Sequence, residues 1–200
     1  INTMNSEQKI EYITNWIKEY ADSLNTKSPC LVIGVSGGID SAVTSTLCCK
    51  TGFKTIAVSM PIKQNISQHE LSLKHLEWLN KNFDNVETII LELDEVFKSF
   101  EKTMNDFDNK LAFANSRSRL RMVTLYQIAQ ANNGIVIGTG NKVEDFGVGF
   151  YTKYGDGGVD ISPIADCTKT DVWNIGKTLG VIEEIIEAAP TDGLWDDSRN

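Results

Sequence analysis

Four short runs of the chain, residues 30–35 (CLVIGV), 54–60 (KTIAVSM), 86–93 (VETIILEL) and 134–139 (GIVIGT), are aliphatic or β-branched and show no clean polar alternation. A strand with one wet face alternates with a period of two, so runs of this kind belong to parallel strands covered on both faces. Between them the spacing predicts helices at about 40–50, 67–82, 94–104 and 109–132, with Gly52 as the C-terminal stop of the first and Asp94 as the N-cap of the third. Ahead of the first run, Ile10, Ile13, Ile17, Tyr20 and Leu24 recur at three- and four-residue steps after an Asn5-to-Gln8 capping signal, which predicts an opening amphipathic helix that ends near Pro29. The alternation predicts an α/β fold, a doubly wound parallel sheet with helices on both faces.

The composition narrows the function classes. A chain of 200 residues, 41% hydrophobic and 23% charged, suffices for one domain over residues 1–200. Lysine and arginine total 19 against 27 acidic residues, a net charge of −8, so a polyanion site must be local and nonspecific nucleic-acid binding is disfavoured. Cys30, Cys48, Cys49 and Cys167 form no CxxC pair and read as buried small hydrophobes in a reducing, cytoplasmic setting. No apolar run reaches membrane-spanning length and the first residues lack signal-peptide character, so the expectation is a chain neither embedded nor exported. His69 and His75 are six apart without a cysteine cluster, which argues against zinc, and Trp16, Trp78 and Trp173 read as core.

The stretch SGGIDS, residues 36–41, follows the first strand and opens a helix. Helix-start N–H groups and glycines that permit close approach make a cradle for an anion, with phosphate as its natural guest. No lysine follows, so it is not a GxxxxGK[ST] loop, nor is it GxGxxG. Asp40 adds a carboxylate beside the phosphate site, which makes sense when a cation such as Mg²⁺ shares it. By themselves the six residues serve equally well as a tight strand-to-helix turn with Asp40 as a helix-start charge. The glycine-rich segment 147–158 is too long for a tight turn and reads as a working loop.

SGGIDS resembles the pyrophosphate-binding motif of the PP-loop ATP pyrophosphatases. The segments GTGNKVEDFGVGFYTKYGDGGVDISP (138–163), NSRSRLRM (115–122), CTKT (167–170) and APTDGLWDD (189–197) narrow the resemblance to the ammonia-dependent NAD synthetases, in order and over nearly the whole chain. The resemblance implies an adenine-nucleotide alpha-hydrolase-like, Rossmann-like fold. It implies ATP contacts at Gly34, Val35, Ser36, Gly37, Gly38, Ile39, Asp40 and Ser41, and at Thr139, Lys169 and Thr191. It implies Mg²⁺ at Asp40 and Glu144, with Asp40, Glu144 and Lys169 as the catalytic set, and deamido-NAD contacts at Asn115, Arg119, Lys153 and Asp160. Read physically, Glu144 follows the carboxyl end of the fourth strand, beside the switch point where doubly wound sheets bind ligands, and so falls near Asp40. A lysine near the transferred group neutralises charge developing on the α-phosphate and the leaving pyrophosphate.

On the 109–132 helix, Arg119 lies midway between Arg117 and Arg121 and points away from both, so those two read as surface charge. Leu120, Met122, Val123, Leu125, Tyr126, Ile128 and Ala129 nearly surround the following turns, which predicts burial on more than one side. Some of that burial is expected between subunits, because the resemblance implies a homodimer with substrate at the shared interface. Phe146, Phe150, Tyr151 and Tyr154 suit either stacking on a substrate ring or packing within their own loop. The family continues past PTDGLWDD into a further acidic segment and a terminal helix, whereas this sequence stops at SRN, so the family's C-terminal tail is expected to be absent. With no amidotransferase domain expected in the chain, the nitrogen donor implied is ammonia, free or delivered by a separate protein. The reaction implied is amidation of deamido-NAD with MgATP through an acyl-adenylate, giving NAD, AMP and pyrophosphate. The rivals are another PP-loop amidating enzyme, a tRNA-modifying synthetase disfavoured by the acidic balance, and a non-catalytic nucleotide-binding module, which would have no use for Glu144 and Lys169 beside Asp40.

Overall fold

Strand β1 (Cys30–Gly34) is flanked on both sides by parallel neighbours, β2 (Thr55–Ser59) and β4 (Gly134–Val136), and β3 (Val86–Ile90) lies outside β2. The computed structural model describes residues 3–62, 65–142 and 152–190. In register, Leu31 sits between Thr55 and Ile135, and Val32 between Ile56 and Val136. A short continuation beyond β4 pairs Ile137 with Ile161 in parallel, and Gly138 N–H donates to the Ile161 carbonyl at 2.8 Å.

The absence of polar alternation has the expected cause. Leu31, Ile33 and Val35 point into one core, with α1 (Ser6–Asp22), α2 (Ile39–Lys50), α3 (Ile66–Asn82), α6 (Lys169–Leu179) and α7 (Glu183–Ala188). Cys30 and Val32 point to the other face, against α4 (Asp94–Thr103) and α5 (Lys110–Ala131), where Phe97 and Ala129 are buried. Both faces of β1 are therefore dry, and the doubly wound sheet is as expected. Cys30, Cys48, Cys49 and Cys167 are all buried free thiols. Among the described residues no helix is long and apolar enough to cross a membrane.

Helix α2 is buried along almost its whole length, although its sequence is rich in hydroxyls. Thr44, Ser45 and Thr46 return their hydroxyl hydrogens to the carbonyls of Asp40, Ala42 and Ala42, at 2.8, 3.1 and 2.7 Å, so the side chains carry no unmet donor into the interior. Gly52, at φ +84°, ends this helix as expected. The Asn5–Gln8 capping box forms at the start of α1.

Several boundaries differ from expectation. α1 stops at Asp22, well before Pro29, because Ser23 turns its N–H and hydroxyl back onto the last carbonyls. Leu93, not Asp94, is the N-cap of α4, and Asp94 is its first helical residue. β3 and β4 end at Ile90 and Val136, short of the expected residues 93 and 139, and Leu91 N–H and Ile137 N–H carry the pairing one step further, to the carbonyls of Ser59 and Val32. Trp16 is 39% exposed on the outer face of α1, so it is not core, whereas Trp78 and Trp173 pack on the core edge. Of the seven apolar residues after Arg119 only Ala129 is fully buried within the chain, and Val123 is 55% exposed. α6 and α7 follow a region where periodicity predicted no helix; the sign present was Thr168-x-x-Asp171, a capping box that the structure forms.

His75 is fully buried, with Nε2 2.8 Å from Ser45 Oγ and its ring stacked on Trp78, and burial pushes its pKa down to about 4. Its folded value lies below the ordinary 6.5, so between the two the unfolded chain binds the proton and the folded chain does not. The penalty is absent above pH 6.5 and grows as pH falls toward 4, reaching on the order of 3 kcal/mol. Urea unfolding of His75→Gln should accordingly lose less stability than the parent between pH 7 and pH 4.5. Parallel acid limbs would show that His75 is not the source.

Candidate active site

The winding of the sheet reverses between β1 and β4, and the crevice at their carboxyl ends is where such sheets take ligands. β1 runs into SGGIDS there. Val35 N–H still donates to the Val58 carbonyl at 2.7 Å, after which Ser36 N–H donates to Ser41 Oγ at 3.1 Å and Ser41 Oγ–H to the Gly38 carbonyl at 3.2 Å. The two glycines have different reasons. Gly37 holds φ +96°, and a Cβ on it would stand 2.3 Å from the Gln68 carbonyl oxygen on α3, so nothing larger fits. Gly38 has an ordinary φ of −85°, and a Cβ there meets nothing closer than Ser36 Oγ at 3.4 Å. The fold itself does not require Gly38. It is the N-cap of α2 and makes no side-chain capping bond, which leaves the first-turn N–H groups open to an anion.

Three segments converge on Asp40, in the first turn of α2. Lys169 Nζ, from the first residue of α6, lies 3.0 Å from Asp40 Oδ2, and Asn141 Nδ2, from the turn after β4, donates to Oδ1 at 2.9 Å. The Asp40 and Lys169 side chains are 27% and 29% exposed, deep enough for each charge to need the other or a substitute. The backbone joins the same segments, because Lys142 N–H donates to the Cys167 carbonyl at 2.8 Å. Glu144 and Thr191 lie outside the described residues, as do Phe146, Phe150 and Tyr151. Asn141 was not singled out from the sequence. The available signal was its place in GTGN, the strand-end turn beside SGG across the switch point.

Gly34, Val35, Ser36 and Ser41 open onto a cleft of about 320 Å³. Ile137, Gly138 and Thr139 from the β4 turn form one wall, and Met60, Arg121, Met122 and Leu125 another. Gly138 is tight, since a Cβ on it would come within 2.7 Å of Val159. Arg121 is therefore not surface charge. Its Nε donates to the Met60 carbonyl at 3.0 Å, and burial followed by the nearby Arg117 pulls its pKa below the usual guanidinium value against the pull of Asp94. Arg117 is half-buried with its guanidinium 5.5 Å above the Phe97 ring. Separation along the helix was legible, but which arginine faces solvent depends on where α4 and β2 sit: Arg119 is the exposed one.

Arg119 Nε donates to the Lys153 carbonyl at 2.9 Å, and Thr152 Oγ1 donates to Asn115 Oδ1 at 2.9 Å, so α5 and residues 152–153 are tied together. Lys153 lies over the exposed Tyr154 ring at 5.2 Å. Asp160 is anchored elsewhere: Oδ2 accepts Val136 N–H at 2.7 Å and Oδ1 accepts the Tyr126 hydroxyl at 3.0 Å. Burial, reinforced by Asp160, pushes the Tyr126 phenol up to about 12, so it stays a donor to that carboxylate.

The chain is similar to known proteins in sequence and in fold. The sequence model described as NAD synthase matches residues 9–199. The NH(3)-dependent NAD(+) synthetase of Carboxydothermus hydrogenoformans is 39% identical over 199 residues, covering 96% of this chain and 78% of the relative. That of Mesoplasma florum is 39% identical over 202 residues, with 98% and 79% covered. Among solved structures, an NMN synthetase from Francisella tularensis superposes with a TM-score of 0.84 at 34% identity, covering 96% of this chain and 78% of that one. The NH3-dependent NAD synthetase from Campylobacter jejuni gives 0.81 at 31% identity, with 92% and 77% covered. An open helix start, a carboxylate held by a lysine and an asparagine, and agreement in sequence and fold over nearly all of its length lead to one conclusion: the chain belongs to the NAD synthase family.

Proposed function

We infer that this chain is an ammonia-dependent NAD synthetase, a ligase that forms a carbon–nitrogen bond by amidating the nicotinate carboxylate of deamido-NAD at the expense of ATP. The observation that carries the reading is the meeting of the SGGIDS turn, Asp40, Asn141 and Lys169 at the carboxyl ends of β1 and β4 in a chain of this family. Direct displacement of hydroxide from a carboxylate has a prohibitive barrier at neutral pH. Attack of the carboxylate oxygen on the α-phosphorus breaks the bond to pyrophosphate and gives an acyl-adenylate. Ammonia then attacks the carbonyl carbon, and AMP departs with the bridging oxygen.

In this reading the open N–H groups of α2 grip the leaving phosphates and Thr139 and Thr191 add contacts to ATP. Lys169 turns from Asp40 to the phosphates and holds its charge where negative charge develops. The residues fit Mg²⁺, since an Asp40 carboxylate has about four lone-pair positions and two are taken by Asn141 and Lys169. Asp40 and Glu144 would hold the ion, which when bound supplies Lewis-acid neutralisation of the phosphate oxygens. Asn115, Arg119, Lys153 and Asp160 are assigned to the dinucleotide. Ammonia arrives free or from a separate protein. The site of action is cytoplasmic, in keeping with the four reduced, buried thiols.

The name of the Francisella structure supports a second reading, amidation of nicotinate mononucleotide by the same chemistry. Comparing kcat/KM for the two acids decides between them, with deamido-NAD expected to be the better. Carboxylate-¹⁸O substrate tests the chemistry: label should appear in AMP and not in pyrophosphate. ADP as product, or label in inorganic phosphate, would overturn the adenylate route.

Asp40→Asn removes the negative charge with little change of volume, so turnover should fall by ~10²-fold or more while the circular dichroism is unchanged. Arg119→Ala should raise KM for deamido-NAD well above its effect on KM for ATP. Near-normal turnover in the first variant, or equal losses for both substrates in the second, counts against these roles.

A homodimer is proposed as the working state. Leu111 and Val123 on α5 are 71% and 55% exposed in the single chain, two separate apolar side chains that a second copy would cover. Sedimentation should give twice the chain mass across the working concentration range, and a fully active monomer would refute the assembly.

A further inference from the structure

Helix α1 has no described residue on the wall of the cleft, yet it sends one mostly buried charge to the first turn of α6, the helix that carries Lys169. Lys9 Nζ lies 2.7 Å from Asp171 Oδ1, with side-chain exposures of 12% and 19%. By contrast, the surface pair Lys74–Glu184 leaves more than half of each side chain in solvent. Exposed pairs contribute little, whereas a charge held this deep requires its partner.

Asp171 uses both oxygens. Oδ2 accepts the N–H of Thr168 at 2.9 Å while Thr168 Oγ1 accepts the N–H of Asp171 at 3.1 Å, the reciprocal capping box at the start of α6. Burial works against the charged form, but Lys9 and the Thr168 N–H outweigh it and hold Asp171 below the ordinary carboxylate range. Lys169, the residue that follows Thr168 inside this box, reaches Asp40 with its ammonium. The start of α6 is thus fixed to α1 by Lys9 and to the turn after β4 by the Lys142–Cys167 backbone bond.

We propose that Lys9, acting through Asp171, is a positioning residue for Lys169, so that the amino-terminal helix sets the aim of the lysine that serves the transferred phosphate. The proposal rests on the function inferred above for Lys169. A flexible lysine on a loosened helix start still reaches a phosphate and binds ATP. What it loses is alignment with the charge that develops only during transfer, and interactions made only in the transition state appear in kcat and not in KM.

Lys9→Met keeps the length of the side chain and removes its charge, and Asp171→Asn keeps an oxygen for the Thr168 N–H while weakening the pairing with Lys9. Each should lower kcat about tenfold with both KM values within about twofold of the parent, because small misplacement at a reacting centre costs rate before binding. The double variant should be no slower than either single one, since both break the same link. In the ligand-free chain, amide hydrogen exchange of peptides spanning residues 165–175 should quicken in Lys9→Met while β1 and α2 are unchanged. Unaltered kcat, losses shared by kcat and KM, or unaltered exchange at the start of α6 would each overturn the proposal. The two readings fail separately. Absence of deamido-NAD-dependent pyrophosphate release in the parent chain refutes the function, and the exchange measurement still decides whether Lys9 holds the helix start.

Discussion

The parallel pairing of β1 with both β2 and β4 is the constraint on which the rest of the molecule depends. A strand hydrogen-bonded on both edges and covered on both faces has no contact with solvent except at its ends. From its carboxyl end the chain enters α2, and the turn after the neighbouring β4 comes back to the start of that helix through Asn141. The reversal of winding between β1 and β4 leaves the crevice at their carboxyl ends, the one part of β1 that side chains from distant segments can reach among the described residues.

The crevice is finished by groups that the fold itself does not need. Gly37 is demanded by the close approach of α3, but nothing among the described residues demands Gly38, and its bareness leaves the helix start without a side-chain cap. Asp40 and Lys169 neutralise one another at 3.0 Å at the start of α2, both side chains mostly buried. In the proposed function this pair is a resting arrangement that an anion and a cation take apart together, because an incoming phosphate competes for the lysine and a divalent ion for the carboxylate. This exchange of partners avoids leaving either charge alone in a poorly solvated place.

Much of this was legible beforehand. The strands and the first helices follow from continuous apolar runs and three- and four-residue spacing, and the anion cradle from glycines at a strand-to-helix junction. Arg121 was misread because a helix pattern reports which residues share a face, not which face meets a neighbour; the Met60 carbonyl that binds its Nε is 61 residues away in sequence. Trp16 was misread for the same reason. α6 escaped notice because its capping box is short and its apolar pattern sparse, although Thr168 and Asp171 were in plain view. The family resemblance supplied Thr191 and the dinucleotide contacts, for which the local sequence has no physical signature, and the role of Glu144, of which the sequence shows only its place beyond the fourth strand.

What the sequence determined by itself is local or periodic: the strand runs, the capping boxes at Asn5 and Thr168, the φ-positive glycine at 52 and the bare helix start at Gly38. Each depends on residues within one or two turns of chain, where propensity and hydrogen-bonding chemistry act without reference to the rest. Only the tertiary structure decided that Asn141 and Lys169 meet on Asp40, separated from it by 101 and 129 residues, and that Lys9 grips the helix carrying Lys169. Those meetings are set by the order of strands and the packing of helices on each face. Charge pairing acts across a few ångströms of space, and no local pattern in the sequence records which distant residues the fold will bring within that distance.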